Sequence, residues 1–250
     1  ALDERDVILA FTDDATQRAV VAAGWAGDIR PTPHDALLVV DANIGGGKSD
    51  ARIREDIAHR ASILEDGSVI DTVTITRSHD GGLVDATTPS ERLANLANVD
   101  YLRVYVPRGA ELLTAEGFTP PPDDAFEAIP SDAVPDRDLL ATELHATVDP
   151  VTGIRITEEF GRTAFGGWMQ LPSGAQRAVR ITYRLPWRYD THRMGALGRA
   201  VPADPQPYSL RIQKQSGTQP TIRHTLDLNP RWRATWTSEN LHATGTRTWT

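Results

Sequence analysis

Apolar and polar residues alternate with a period of two through most of this chain, the pattern of strands with one buried face. In Tyr101–Val106, Leu102, Val104 and Val106 point one way and Tyr101, Arg103 and Tyr105 the other. Val179, Ile181, Tyr183 and Leu185 alternate in the same way with Arg180, Thr182 and Arg184. Val69, Val73 and Ile75 oppose Thr72, Thr74 and Thr76 on a strand that follows the hairpin turn Glu65-Asp66-Gly67-Ser68. Ala36–Asp41 is an apolar run of strand length, and Asp6–Phe11 reads as a buried strand. Ala51–Leu64 fits a helix through Ile53 and Ile57, or a strand through Ile57, Ala61 and Ile63. One helix is expected from the cap Thr12-Asp13-Asp14 to about Ala23, with Gly24 as its stop. A helical turn is expected at Ser90–Ala97, inside a polar loop.

Thr119–Arg137 breaks the pattern with five prolines and several aspartates. Alternation resumes at Leu140–Val148, Gly153–Phe160, Thr163–Leu171 and Gln176–Leu185. Tyr208–Lys214 and Thr221–Leu228 read as a pair joined by the turn Gln215-Ser216-Gly217-Thr218, and Trp232–Thr250 as ending in a strand. The expectation is a mainly β protein in three parts. Residues 1–119 form a smaller α+β domain with one short helix, 120–137 a Pro/Asp-rich linker or crossing loop, and 138–250 an antiparallel, Ig-like β-sandwich domain.

Composition narrows the partners. The 250 residues carry a net charge of −8, a balance that repels nucleic acid phosphates and anionic lipid. The absence of cysteine excludes a disulfide framework, a thiolate nucleophile and a Cys-ligated metal. No apolar run approaches the roughly 20 residues that cross a bilayer, so this chain is expected to hold no membrane span. It opens at Ala1 without a signal peptide, which reads as a processed mature form or a trimmed fragment. Its first and last segments are expected to pair with something, such as another subunit.

Ala42-Asn43-Ile44-Gly45-Gly46-Gly47-Lys48-Ser49 satisfies the looser form of a phosphate-binding loop, with Ala in the first Gly position. In such a loop, backbone N–H groups cradle phosphates, Lys48 neutralises them and Ser49 holds Mg²⁺. The surroundings argue otherwise, because that loop belongs to a parallel sheet covered by helices. A glycine-rich structural turn through Gly45, Gly46 and Gly47 is the stronger reading. Asp41–Gly46 also resembles the start of a calcium loop, but Arg52 stands where the bidentate Glu belongs. Glu158 and Glu159 are adjacent and face opposite ways on a strand, and Ser173 sits in a Pro-Ser-Gly turn. The seven histidines lack metal-ligand spacing, with His34, His79, His192 and His242 in loop-like surroundings. Neither a catalytic residue, nor a metal, nor a cofactor is expected. The tryptophans 168, 187, 232, 236 and 249 fit a sugar-stacking face or, more often in a sandwich, a core or interface.

Of 26 basic residues, only Lys48 and Lys214 are lysines. In a chain that otherwise uses Arg, this selects them as candidate buried ammonium groups with a carboxylate partner. An amide cross-link to Asn or Asp is the sharper alternative.

The motifs VVDANIGGGKSD, YLRVYVPRGAELL, ITYRLP and LRIQKQSGT, in this order, resemble the C-terminal part of a bacterial cell-envelope family catalogued only as a domain of unknown function (family 4012). The resemblance runs from about Val7 to Thr218 and places both lysines in family motifs; Gly47 stands where the family pattern has Asn. It implies export and envelope association, and no activity. The expected function is a non-catalytic extracellular or cell-surface structural or adhesive subunit of a filament or surface layer. Other copies of the chain are the expected partners, joined by strand exchange through Val7, Ile8 and Leu9 or through Thr248 and Trp249. A cell-wall glycan module and an accessory domain of an envelope enzyme are the alternatives.

Overall fold

Local signals set the ends of most elements in the computed structural model, which describes residues 2, 6–30, 32–45, 47–82, 86–194, 199–202, 204–238 and 248–249. Helix α1 (Asp14–Ala23) begins where the Asp13 carboxylate accepts the Thr16 N–H at 2.8 Å, and ends at Gly24 with φ +84°. Strand β1 (Asp35–Val40) precedes a 3-10 turn at Ser49–Arg52. The ambiguous stretch after it is strand β2 (Ile53–Ile63), joined by a tight hairpin to β3 (Ser68–His79). Gly67 in that turn has φ +81°, and a Cβ there would collide with the Tyr189 carbonyl. Helix α2 (Pro89–Ala94) is started by a capping box between Thr88 and Glu91, with Pro89 in the first turn.

The remaining elements are β4 (Asn98–Pro107), β5 (Glu111–Glu116), a 3-10 turn at Asp123–Ala125, α3 (Arg137–Glu143), β6 (Thr147–Val148), β7 (Arg155–Glu159) and β8 (Arg162–Leu171). They are followed by β9 (Gln176–Arg188), β10 (His192–Met194), β11 (Ala200–Pro202), β12 (Leu210–Gln213), β13 (Thr221–Leu228) and β14 (Thr248–Trp249).

Two six-stranded sheets face one core. The first has the order β12-β1-β4-β8-β7-β6 and the second β14-β13-β2-β3-β9-β5; β10 and β11 form a separate ribbon. Leu37, Leu102, Val104 and Phe165 from the first sheet meet Ile75, Val179, Ile181 and Tyr183 from the second in a single buried cluster. The predicted phases of β3, β4 and β9 hold. Leu102, Val104 and Val106 are fully buried, as are Val69, Val73 and Ile75.

Five expectations change. The sheets are mixed rather than antiparallel: β12 lies parallel to β1, and β13 parallel to β2. Tyr208–Lys214 and Thr221–Leu228 are therefore no hairpin; the turn between them carries the chain from one sheet to the other. The division at 120–137 separates no domains, because both sheets interleave strands from before and after it. Its first residues are pinned to β8: Thr119 N–H donates to Trp168 O at 2.8 Å, Gln170 Nε2 to Pro120 O, and Phe126 packs on Trp168, while 127–137 are exposed.

Asp6–Phe11 is not a strand. Val7 and Ile8 are about half exposed, and the Leu9 N–H bonds Trp25 O in the loop after α1 instead of a sheet edge. At Leu140–Val148 the Asp136 carboxylate caps the N–H groups of Asp138 and Leu139. The cap starts α3 where a strand was expected, and only β6 remains extended.

A single interleaved core predicts one cooperative unfolding transition for the whole chain in denaturant, by fluorescence and circular dichroism together. Fragments 1–119 and 138–250 expressed separately are expected to show no such transition. Leu102→Ala, at the centre of β4, is expected to lower the stability of the whole by about 2–5 kcal/mol.

Candidate functional site

The glycine–lysine loop leads into a 3-10 turn of four residues and then into β2, whose neighbour β3 is antiparallel. Among the described residues, no α-helix follows it directly. Ser49 is fully buried, with its Oγ accepting from the side-chain amides of Asn43 and Asn98 at 3.1 Å each. Lys48 is exposed, and its backbone N–H bonds Leu93 O. Gly45 lies near Val99 and Gly47 near Leu96; Gly46 lies outside the described residues. Lys214 is partly exposed and pairs with Asp6, Nζ to Oδ1 at 2.8 Å. The expected buried ammonium group at Lys48 is thus corrected, since it sits on the surface; Lys214 is partly buried and has the expected carboxylate partner, in an ion pair worth about 0–1 kcal/mol.

Two buried polar clusters, neither among the sites expected from sequence, occupy the space between the sheets. The first centres on Arg77 of β3, only 3% exposed. Its guanidinium meets Asp100 of β4, donates to Asn98 Oδ1 at 3.2 Å, and has Glu55 of β2 at 3.4 Å and Asp41 at 3.9 Å. Asp50, largely exposed, lies at 3.9 Å on the outer side. Three inner carboxyl groups against one guanidinium leave surplus negative charge. Burial pushes Glu55 up to about 8, helped by the charge of Asp41 and opposed by Arg77. Burial likewise raises Asp100 to about 7 against the pull of Arg77, and raises Asp41. The cluster clamps the glycine loop to β2, β3 and β4.

The second cluster crosses the core. Ladder register puts His224 of β13 beside His59 of β2, and Asp71 of β3 beside Tyr183 of β9. Asp71 pairs with Ala61, two residues from His59, so the two are diagonal neighbours on the inward face. From the other sheet come Asp35, at the start of β1, and Tyr208, just before β12. Asp35, His59 and Asp71 are each no more than 1% exposed.

His59 Nε2 lies 3.8 Å from an oxygen of each carboxyl group. The Tyr208 hydroxyl donates to Asp35 Oδ2 at 2.6 Å, and the Ala36 N–H donates to Asp35 Oδ1 at 2.7 Å. His59 Nδ1 and His224 Nδ1 share a hydrogen bond of 2.9 Å, and the His224 ring stacks on Tyr208. Burial pushes Asp35 up to about 6 and, with the charge of Asp35 added, Asp71 well above the carboxylate range. It pushes His59 down to about 3 and His224 to about 4, so both imidazoles are neutral at pH 7. One nitrogen and two carboxylate oxygens within 4.8 Å of one another form a ligand set that could hold a metal ion.

Other predicted positions scatter. His79 is buried, bonded to Leu96 O and the Gly81 N–H, not solvated in a loop. His242 lies outside the described residues. Trp187 and Trp232 pack against the core, while Trp236 is 80% exposed. Val7, Ile8 and Leu9 form no strand, and Thr248 and Trp249 pair with β13 of their own chain. Among the described residues, no helix is long and apolar enough to cross a membrane.

The class defined by fold and site is a mainly β protein of two mixed sheets with an acid–imidazole cluster between them. No family model, curated protein sequence or solved structure matches the chain.

The Arg77 cluster has a pH signature. The folded chain keeps protons on Glu55 and Asp100 that the unfolded chain releases from about pH 4 upward. Their contribution to stability therefore falls as pH rises toward 8. Asp41, Asp35 and Asp71 act in the same sense, and the two depressed histidines in the opposite sense below about pH 6.5. Glu55→Gln removes one such proton. Its stability relative to the parent is expected to climb between pH 5 and 8, by up to about 1.4 kcal/mol per pH unit, in urea melts at matched ionic strength.

Proposed function

We propose that this chain is a non-catalytic, exported surface protein that associates with copies of itself in an extracellular filament or layer. The observation that carries this reading is apolar surface left uncovered beside one edge of the first sheet. Leu144, Val151 and Phe160 are 71, 89 and 68% exposed, and Leu139 and Val148 lie exposed on the same stretch. Single exposed apolar residues are ordinary on protein surfaces; a run of them marks a contact surface. The same stretch carries the sheet edge, where the two-residue β6 covers only part of β7. Open edges invite pairing with another chain, and a head-to-tail contact of this kind propagates. The resemblance to an envelope family supports export and surface location. Binding of cell-wall glycan is the second reading, supported by the exposed Trp236 ring.

Light scattering and electron microscopy of the purified chain over a concentration series test the leading reading. Concentration-dependent oligomers or filaments are expected. Leu144→Asp with Val151→Asp should weaken them at least about tenfold, with the melting temperature little changed. Monodisperse monomers at high concentration would reject the reading, and retention on cell-wall glycan that Trp236→Ala abolishes would favour the second.

A further inference from the structure

The geometry points to a structural metal site at Asp35, His59 and Asp71, taking one divalent transition cation of the zinc type. Three strands from both sheets supply the ligands, so a bound ion would join β1 of one sheet to β2 and β3 of the other.

Three observations converge. The first is the buried carboxyl group. Asp71 is fully buried, and neither of its oxygens makes a hydrogen bond of ordinary geometry; its polar neighbours are Asp35 and the Tyr183 hydroxyl. A buried carboxyl group so weakly held is costly, and Asp71 Oδ2 lies 3.8 Å from the same His59 Nε2 that Asp35 approaches.

The second is charge. With both carboxyl groups ionised the set carries −2 in a core that excludes water; a dication would cancel that sum and displace the proton that Asp71 otherwise holds. The neighbouring Arg162 guanidinium offsets the charge of Asp35 only in part, and donates a hydrogen bond to Arg30 O. Imidazole with carboxylate oxygens suits zinc and its first-row neighbours better than calcium or magnesium, which take oxygen ligands. Two ligands on one such ion stand roughly 3.0–3.4 Å apart at ordinary angles. Each His59–carboxylate separation of 3.8 Å would close by about half an ångström.

The third is the supporting shell. His59 has its other ring nitrogen on His224 Nδ1, so Nδ1–H can donate there and leave the Nε2 lone pair for an ion. Asp35 is oriented by the Tyr208 hydroxyl and the Ala36 N–H. The Tyr183 hydroxyl, 3.5 Å from His59 Nε2, bounds the site on the β9 side. A cluster sealed this deeply would take its ion as the chain folds.

The test is refolding of the full chain. Protein unfolded in guanidinium with a chelator, then dialysed and refolded with or without Zn²⁺, is passed through gel filtration and its metal content measured by mass spectrometry. About one zinc per chain should be retained, and the melting temperature should rise by at least about 5 °C. Asp71→Asn and His59→Gln should lower zinc affinity by more than about 100-fold and remove the melting shift. Glu55→Gln, in the separate Arg77 cluster, should keep both. A chain that refolds identically without retaining zinc overturns the site. So does zinc retained equally by Asp71→Asn, which would place the ion elsewhere. A third adverse result is Asp71→Asn matching or exceeding the parent's stability with Zn²⁺ present, because the two acids then merely share a proton.

Discussion

The register of β2 against β3 governs the rest of this structure. Eleven consecutive pairs, from Ile53 with His79 to Ile63 with Val69, are locked by the tight turn at Gly67. A slip of one residue would turn every side chain of one strand to the opposite face. That register places Ile57, Ile63, Val73 and Ile75 in the core, and with them His59 and Asp71. At the far end it pairs Glu55 directly with Arg77. The apolar core and both polar clusters thus depend on the same ladder.

Burying so many ionisable groups costs stability unless they neutralise one another. The chain does this in two ways. Around Arg77 a guanidinium offsets part of the charge and raised carboxyl groups hold protons. Around His59 the Arg162 guanidinium acts only on Asp35 and weakly, and the balance falls to tyrosine hydroxyls, retained protons or, in the proposed site, a cation. Polar pairs between sheets also select one arrangement over others, because a shifted sheet would strand each charge alone. Asp35 and Tyr208 meet across neighbouring strands, and Asp100 reaches Arg77 from the opposite sheet. The result is two sheets tied at separate points, with an apolar layer also joining them.

Much of the fold was legible from period alone. Helix α1, the turn at Gly67 and the buried faces of β3, β4 and β9 follow from capping residues, a turn glycine and strict alternation, while the stretch that forms β2 fits helix or strand. Parts of the polar core were legible too. In Val69-x-Asp71-x-Val73-x-Ile75 and Ile57-x-His59-x-Ala61-x-Ile63 a titratable residue sits in the inward phase of an apolar strand, and that signal was there to be read. Arg77 continues the phase of Ile75 in the same way. Lysine rarity points to one exposed ammonium group, Lys48, and one partly buried one, Lys214, because a count of residue types carries no information about burial.

The sequence by itself determined the mainly β class, the faces of the central strands and the capped helix, since these depend on neighbours within a few residues. Tertiary structure decided which strands meet. Only folding shows that β12 and β13 run parallel to β1 and β2 in different sheets, because parallel partners lie far apart in the chain and no turn specifies them. Those pairings bring Tyr208 and His224 to Asp35 and His59, and they merge the two expected domains into one core. A polar residue in an inward phase could be seen from sequence; its partner across the sheets could not.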